Sequence, residues 1–458
     1  MPKTIPACPE KPAKPPRVPL RYQVEVVTPM VGGGVVAGVP DEHLPIRPTA
    51  IRGHLRSWWR EVIGRTLPSD AARWRREEEL FGSTEFPSPL QVRVHGVMFT
   101  ELIDAKSSFD RFSPRAYAVF ASIENELPVA REGIQFGLEL RLPSETELRV
   151  LRQAQNDRRK KANKDPLPPV IPSPLDEIRA CVRAWVRFGG IGGRTRRGCG
   201  ALFSTDIDAS TVPTDANFQL YLGPRTANAV DAWGEAVRVY RDFRQSPRGK
   251  PHKKKIPSRP DPITVPGRSH WPEADSIRHI TGCALKPAAG TPPSEVPVDI
   301  DTNDHSVPLV LPALLPSFPR AALGLPINFY FADSPGKKRP GAKDKDPQDV
   351  QLVPLVPGPG GTHRREERMA SPVVTRPLWV DGAWYPAVII LDRLLPPGFA
   401  VRLEGDMSMA GGGKVSRDVP MRGIADPSLG VLKPLRGQPD ALIALTHHLI
   451  ADLKWRRL

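Results

Sequence analysis

The chain has 458 residues, with 65 lysines and arginines against 50 acids, a formal net charge of +15 and a pI of about 9.8. That balance calls for a polyanionic partner, nucleic acid before membrane, and no run of about eighteen apolar residues is present to span a bilayer. Hydrophobic residues at 40% sustain cores for two or more domains, while Cys8, Cys181, Cys199 and Cys283 form no close pair, which argues against zinc or a disulfide framework and for a reducing cytoplasm.

Residues 1–19 read as a mobile Pro/Lys tail without the apolar core of a signal peptide. Leu20, Tyr22, Val24 and Val26 alternate, predicting a strand that ends at Thr28-Pro29. Met30 to Gly34 then forms a first glycine loop. Ile46 to Gly64, IRPTAIRGHLRSWWREVIG, predicts a helix capped by Thr49, with Ile51, Leu55, Trp58 and Val62 on one face. Arg52, Arg56 and Arg60 stack on another. Like charges at that spacing repel, so the row calls for a partner that neutralises it; the alternative is a basic solvent face. A short helix over Ala71–Phe81 offers Trp74 and Leu80 for packing, and Gly82-Ser83 breaks it. Leu90–Thr100 reads as a strand. Ser107–Arg131 is irregular, a long hairpin or a lid. Phe136, Leu138, Leu140 and Leu142 alternate as a strand, and 153–172 form a basic, proline-rich, solvated insertion.

Ser173 begins the next helix, with Pro174 at its first position and Asp176 in its first turn. Leu175, Ile178, Val182 and Trp185 make the buried face, and Cys181 joins it as a small core residue. The stretch FGGIGGRTRRGCG follows, Phe188 to Gly200. Its six glycines and three arginines, Arg194, Arg196 and Arg197, come with no acid. Glycine permits φ > 0 and close approach of another backbone. Bare N–H groups in such a loop can cradle anions, and guanidinium forks suit phosphate. The glycines follow a helix and no Lys-Ser or Lys-Thr closes the stretch, which speaks against the nucleotide fingerprints. A polyanion such as RNA fits better; a flexible, charged, solvated turn is the alternative. A strand at Ala201–Ile207 completes strand-helix-strand-strand-helix-strand, the ferredoxin-like order, over a domain of residues 20–210.

A second domain, 211–458, starts with a strand at Phe218, Leu220 and Leu222. A helix over Ala227–Phe243 buries Val230, Trp233, Val237 and Tyr240. Residues 245–262 are a second basic, proline-rich insertion, Trp271–Ile280 a short helix, and 286–320 have little pattern. Leu325–Ala332, Ala387–Leu391 and Val401–Glu404 read as strands, with a basic loop at 336–347. Leu442, Leu445, Leu449 and Leu453 define a last helix. The chain carries 55 prolines, more than twice the average share, and the second half reads as the first topology repeated around long insertions. The fold class is therefore α+β.

Catalytic chemistry finds little support. A metal-independent ribonuclease needs a base, an acid and charge stabilisation. His54, between Arg52 and Arg56, is the best base, with His270, His279, Tyr117 and Lys106 looser candidates; a structural or RNA-contacting histidine is the competing reading. Asp299, Asp301 and Asp304 match a calcium loop only loosely, lacking its glycine and distal glutamate. His447-His448 point to different helix faces, a poor ligand pair. The expectation is no enzyme, no metal and no cofactor. A protein scaffold with minor RNA contacts is a third reading, which the proline-rich insertions favour.

Several stretches resemble the RAMP family, in particular the first RAMP subunit of Cmr (type III-B) CRISPR effector complexes. They are Thr28-Pro29-Met30 with its glycines, Ile51 to Arg60, Phe81-Gly82-Ser83 and the loop Gly189 to Gly200. Further stretches are Arg268 to Glu273, Leu323 to Ile327 and Arg368 to Pro372. The likeness covers roughly residues 20–430. The glycine signature is shared by many RAMP subunits; its combination with the Arg-Trp-Trp-Arg helix is more specific. The resemblance implies tandem ferredoxin-like (RRM-like) RAMP domains with long Pro-rich insertions. It implies a non-catalytic antiviral-defence subunit toward the 3′ end of the guide RNA. Its partners are then guide RNA, target RNA and neighbouring RAMP subunits, with no membrane. Carried over, the RNA-binding roles fall on Arg52, Arg56 and Arg60, and on Gly189, Gly190, Gly192, Gly193, Arg194, Arg196 and Arg197; His54 joins them as an RNA-contact candidate from its place beside Arg52 and Arg56.

Overall fold

The computed structural model describes residues 18–111, 113–163, 165–167, 173–207, 218–245, 252–254, 261–265, 269–281, 316–331, 347–392, 395, 397–405 and 417–458. The expected N-terminal tail to residue 17, the cluster Asp299, Asp301 and Asp304, Cys8, Cys283, Arg268 and most of the basic stretches 245–262 and 336–347 lie outside them. The described chain divides into two compact units. One holds residues up to Ser108, Val119–Thr195 and 199–207; the other holds Phe109–Ala118, Arg196–Gly198 and the chain from Phe218.

The elements of the first half are β1 (Val18–Val26), α1 (Pro48–Val62), α2 (Asp70–Phe81), β2 (Gln91–Met98), β3 (Leu102–Asp104), α3 (Ala105–Ser108), α4 (Pro114–Glu124), β4 (Pro128–Ala130), β5 (Ile134–Leu142), α5 (Glu145–Lys161), α6 (Pro174–Phe188) and β6 (Leu202–Phe203). The main sheet runs β2-β5-β1-β6, every neighbour antiparallel. With α1 and α6 as its two crossovers this is the ferredoxin-like order. The register Leu20↔Leu140 and Val24↔Phe136 puts one apolar row on the buried face. Ile51, Leu55, Trp58 and Trp59 of α1 and Ile178, Val182 and Trp185 of α6 are buried as well. Each such side chain contributes about 1.5–3 kcal/mol of burial.

Local chemistry sets the helix ends, with some departures from expectation. Arg47, not Thr49, is the N-cap of α1, and Pro48 takes the first helical position, where its missing N–H costs nothing. Ser69 caps α2 by accepting from Ala72 N at 3.1 Å, and Gly82 stops it at φ +76°. Trp74 of α2 is 63% exposed rather than packed. The irregular stretch 107–131 holds helix α4, because Pro114 starts a helical run behind the Ser113 hydroxyl, which accepts from Ala116 N at 3.3 Å. Much of the supposed insertion 153–172 is helix α5, capped by Ser144. The strand expected over 201–207 is only two residues long.

The second half comprises β7 (Phe218–Leu222), α7 (Ala229–Gln245), β8 (His252–Lys254), β9 (Ile263–Val265), α8 (Glu273–Thr281), β10 (Ile327–Phe329), β11 (Val350–Pro357), β12 (His363–Arg365), β13 (Val373–Val380), β14 (Ala383–Leu391), β15 (Ala400–Gly405), β16 (Arg417–Pro420), α9 (Ala441–His447) and β17 (Arg456–Arg457). One sheet runs β13-β14-β7-β17. Read as β7-α7-β13-β14-α9-β17, it repeats the ferredoxin-like order. A second sheet, β10-β11-β15-β16 with β12 on β11, has its own core of Phe318, Leu352, Phe399, Val401 and Leu403. Strands β11 and β13 escape sequence reading because proline demotes a run. In the fold Pro377 and Pro386 face each other across β13 and β14, so two missing donors coincide at one register position. No helix among the described residues is long and apolar enough to cross a membrane.

Candidate nucleic-acid interface

The glycine-rich stretch begins where α6 ends, with Gly189 N donating to Trp185 O at 2.8 Å. It is then laced to the loop that follows β1. Gly193 N donates to Val31 O at 2.5 Å and Gly200 N to Pro29 O at 2.9 Å, while Ile191 N closes the loop on Gly200 O at 2.9 Å. Ala201 N donates to the Thr28 hydroxyl at 2.8 Å. A Cβ on Gly190 would stand 2.8 Å from Gly200 O, and one on Gly192, at φ +80°, 2.6 Å from Val31 O. At Gly189 it would meet the Trp58 indole and, at 2.7 Å, Trp185 O. The close approach that these glycines permit is thus made by the chain's own residues, Val31 at Gly192, Gly200 at Gly190, and Trp58 and Trp185 at Gly189.

The arginines divide. Arg194 is exposed, on a left-handed backbone at φ +54°. Arg196 donates to Ser371 O. Arg197 donates to Val373 O at 3.2 Å and to the Tyr240 hydroxyl at 3.3 Å, with its guanidinium 4.4 Å from the Tyr240 ring centroid, a cation–π contact. These two side chains anchor on β13 and α7 inside the second unit.

On α1, two of the row of three arginines meet an acid within the same unit. Arg60 donates to both Glu77 carboxylate oxygens at 2.6 and 2.5 Å, and Arg56 pairs with the same carboxylate. Burial pushes the Glu77 carboxyl up, but Arg60 and Arg56 more than offset that and hold it below its usual 4.5. Two guanidiniums on one carboxylate leave a residual positive charge, and the Arg60 side chain stays 47% exposed, its guanidinium 5.9 Å from the exposed Trp74 ring. Arg52 is half-buried and reaches Leu90 O at 3.5 Å.

His54 is half-buried, its ring 6.1 Å from that of Trp185 and 15° from parallel. Burial lowers its pKa below 6.5, leaving a neutral imidazole at neutral pH. The looser candidates are dispersed. Lys106 pairs with Glu126 at 2.5 Å, the Tyr117 hydroxyl accepts from Arg244 at 3.2 Å, His270 is buried and His279 exposed. Among the described residues no three His, Cys, Asp or Glu side chains gather to hold a metal.

Sequence reasoning missed the acidic run of α2. Glu77 takes Arg56 and Arg60, Glu78 takes Arg159, and Glu79 takes Arg76 and Arg152 at 2.6 Å each. Buried Glu177 of α6 accepts from Trp59 Nε1 at 2.7 Å and from Arg76 Nε at 3.0 Å. Three consecutive glutamates among the six arginines of α1 and α2 were the available signal.

No curated protein matches the chain. Among solved structures, Cmr1 from Pyrococcus furiosus in its apo form aligns over 96% of this chain and 98% of its own, at 11% identity and a TM-score of 0.42. A chain from the Type III-B Cmr-beta bound to cognate target RNA aligns over 82% of this chain and 94% of its own, at 9% identity and a TM-score of 0.36. The family model described as RAMPs, the RAMP superfamily, matches residues 23–203, from β1 through the glycine loop to β6.

Proposed function

We propose that the chain is a non-catalytic, RNA-binding subunit of a type III-B CRISPR effector complex, of the Cmr1 kind. Its place is toward the guide RNA 3′ end, and it helps hold target RNA beside neighbouring RAMP subunits. The observation that carries this is the RAMP superfamily match over 23–203, the segment that holds the arginine helix and the glycine loop. The net charge of +15 supports it, as do Arg194 and the incompletely neutralised pair Arg56 and Arg60, cations able to meet a phosphodiester backbone. The absence of cutting rests on His54. A neutral ring stacked on Trp185, with no acid partner in hydrogen-bond reach among the contacts described, serves packing better than proton transfer.

Fluorescence anisotropy with a labelled single-stranded RNA tests the binding. The expected result is weak affinity with little sequence preference, log K falling with log salt at about −0.7 per phosphate neutralised, and a shallower slope for Arg194→Ala. Affinity independent of salt would remove the reading in favour of a protein scaffold. Incubation with magnesium or manganese should leave the RNA intact; cleavage that tracks the protein peak and disappears in His54→Ala would make it a ribonuclease.

A further inference from the structure

The second unit holds a cavity of about 160 Å³ that neither the arginine helix nor the glycine loop touches. Its walls are Arg238, Val239, Asp242 and Phe243 of α7, Pro434 and Arg436 of the turn before α9, and His448 and Leu453 beyond α9. After His447 the helix widens into a π turn, His448–Asp452, a form that recurs at functional sites. The His448 ring lies 5.7 Å from that of Phe243 and 24° from parallel, and its Nδ1 is 2.7 Å from Asp452 Oδ2. A carboxylate only accepts, so Nδ1 carries the proton. On a neutral ring Nε2 is then an acceptor. Burial, with Arg436 next, brings the His448 pKa down to about 4, so the neutral form holds at neutral pH. Arg436 pairs with the same Asp452 from a left-handed backbone at φ +54°. Its side chain forms part of the cavity wall. Arg238 pairs with Glu235 at 2.6 Å and, on the cavity wall, with Asp242 at 3.3 Å.

The cavity therefore combines apolar surfaces, two acceptors in the His448 imidazole and the Asp242 carboxylate, and two guanidinium donors. An apolar cavity of about 150 Å³ accepts a benzene ring, so this volume suits one six-membered ring and is small for a bicyclic purine. A carbonyl–NH–carbonyl edge supplies the complement of an acceptor and two donors, and uracil carries that edge. Unstacked bases of single-stranded RNA are read in this way, on an aromatic face and by their hydrogen-bonding edge. We propose that the cavity between α7 and the C-terminal turn binds one unstacked uracil base of an RNA strand. The inference rests on the RNA-binding reading and adds a base-selective contact to it.

The test uses the full chain in two arms. In ligand-observed NMR, uridine 5′-monophosphate should bind at least about tenfold more tightly than adenosine 5′-monophosphate, a difference of ~1.4 kcal/mol. His448→Ala should remove that preference. Leu453→Trp, which fills the half-buried rim and leaves the polar groups in place, should do the same, with circular dichroism confirming the fold. In the second arm, an RNA bearing a single 4-thiouridine should cross-link to peptides spanning 238–243 or 434–453. Equal binding of the two nucleotides, or an unchanged preference in a folded Leu453→Trp chain, would overturn the proposal. So would cross-links confined elsewhere. An RNA that does not bind at all would sink the RNA-binding reading, while the mononucleotide arm would still judge the cavity.

Discussion

At the residue scale, the glycines of the 189–200 loop have a structural duty that can be weighed. Gly192→Val would place a β-branched side chain at φ +80° and its Cβ 2.6 Å from Val31 O. Left-handed strain costs roughly 1–2 kcal/mol and overpacking roughly 1–3 kcal/mol, so a loss of about 2–5 kcal/mol is expected in urea unfolding. Gly193→Ala, with Val31 O at 3.2 Å, should cost less. If Gly192→Val unfolds at the wild-type midpoint, the lacing of the two loops is not what holds them. His448 supplies a pH test. Arg238, Asp242, Arg436, His447 and Asp452 surround it, and burial holds it at about 4 against an ordinary 6.5. Below 6.5 the unfolded chain takes a proton that the folded one refuses, so stability is full above 6.5 and falls as pH drops from 6.5 toward 4. His448→Gln should flatten that part of the curve, read as urea midpoints at several pH values.

At the element scale, α1, α2 and α6 are joined through buried acids as well as apolar faces. Glu177 accepts from Trp59 on α1 and from Arg76 on α2, so one carboxylate from α6 fixes both neighbours. Glu177→Ala takes the Glu177 carboxylate from the buried Arg76 guanidinium, which still pairs with Glu79, and breaking such a buried pair costs about 3–5 kcal/mol. Chemical denaturation should find a loss near the lower end, and replacing Arg76 by Met as well should recover part of it. A Glu177→Ala chain as stable as the wild type would mean that apolar packing alone joins the three helices. On the face formed by α1 and α2, Glu77→Gln removes the carboxylate shared by Arg56 and Arg60. The two cations should then repel, lowering stability by about 1–3 kcal/mol, while their added charge steepens the salt dependence of RNA binding. An unchanged slope would show that these arginines face no phosphate.

At the scale of the whole molecule, useful affinity should come from several weak contacts held together, because guide RNA and neighbouring subunits raise the effective concentration of each. Gentle purification from a native source at low salt should recover RAMP proteins and a small RNA with the chain; recovery as a bare monomer would count against the assembly. Much of the architecture was legible beforehand. Alternation in β1 and β5 and 3.6-residue periodicity in α1, α6 and α7 are local signals, and in sequence they already compose the ferredoxin-like order. Helices α4 and α5 were not legible, because proline and basic residues at their borders imitate loops. Nor were β11, interrupted by Pro354 and Pro357, and β13, whose Pro377 stands opposite Pro386. What the sequence alone determined, then, is which residues are apolar, charged or conformationally free, and hence the elements and the excess of positive charge. Which acid meets which arginine was decided only by tertiary structure. Glu77 lies 17 and 21 residues from Arg60 and Arg56, and Arg197 and Val373 lie 176 apart. A charge carries no record in sequence of its distant partner, so which acid or carbonyl an arginine meets needs the fold.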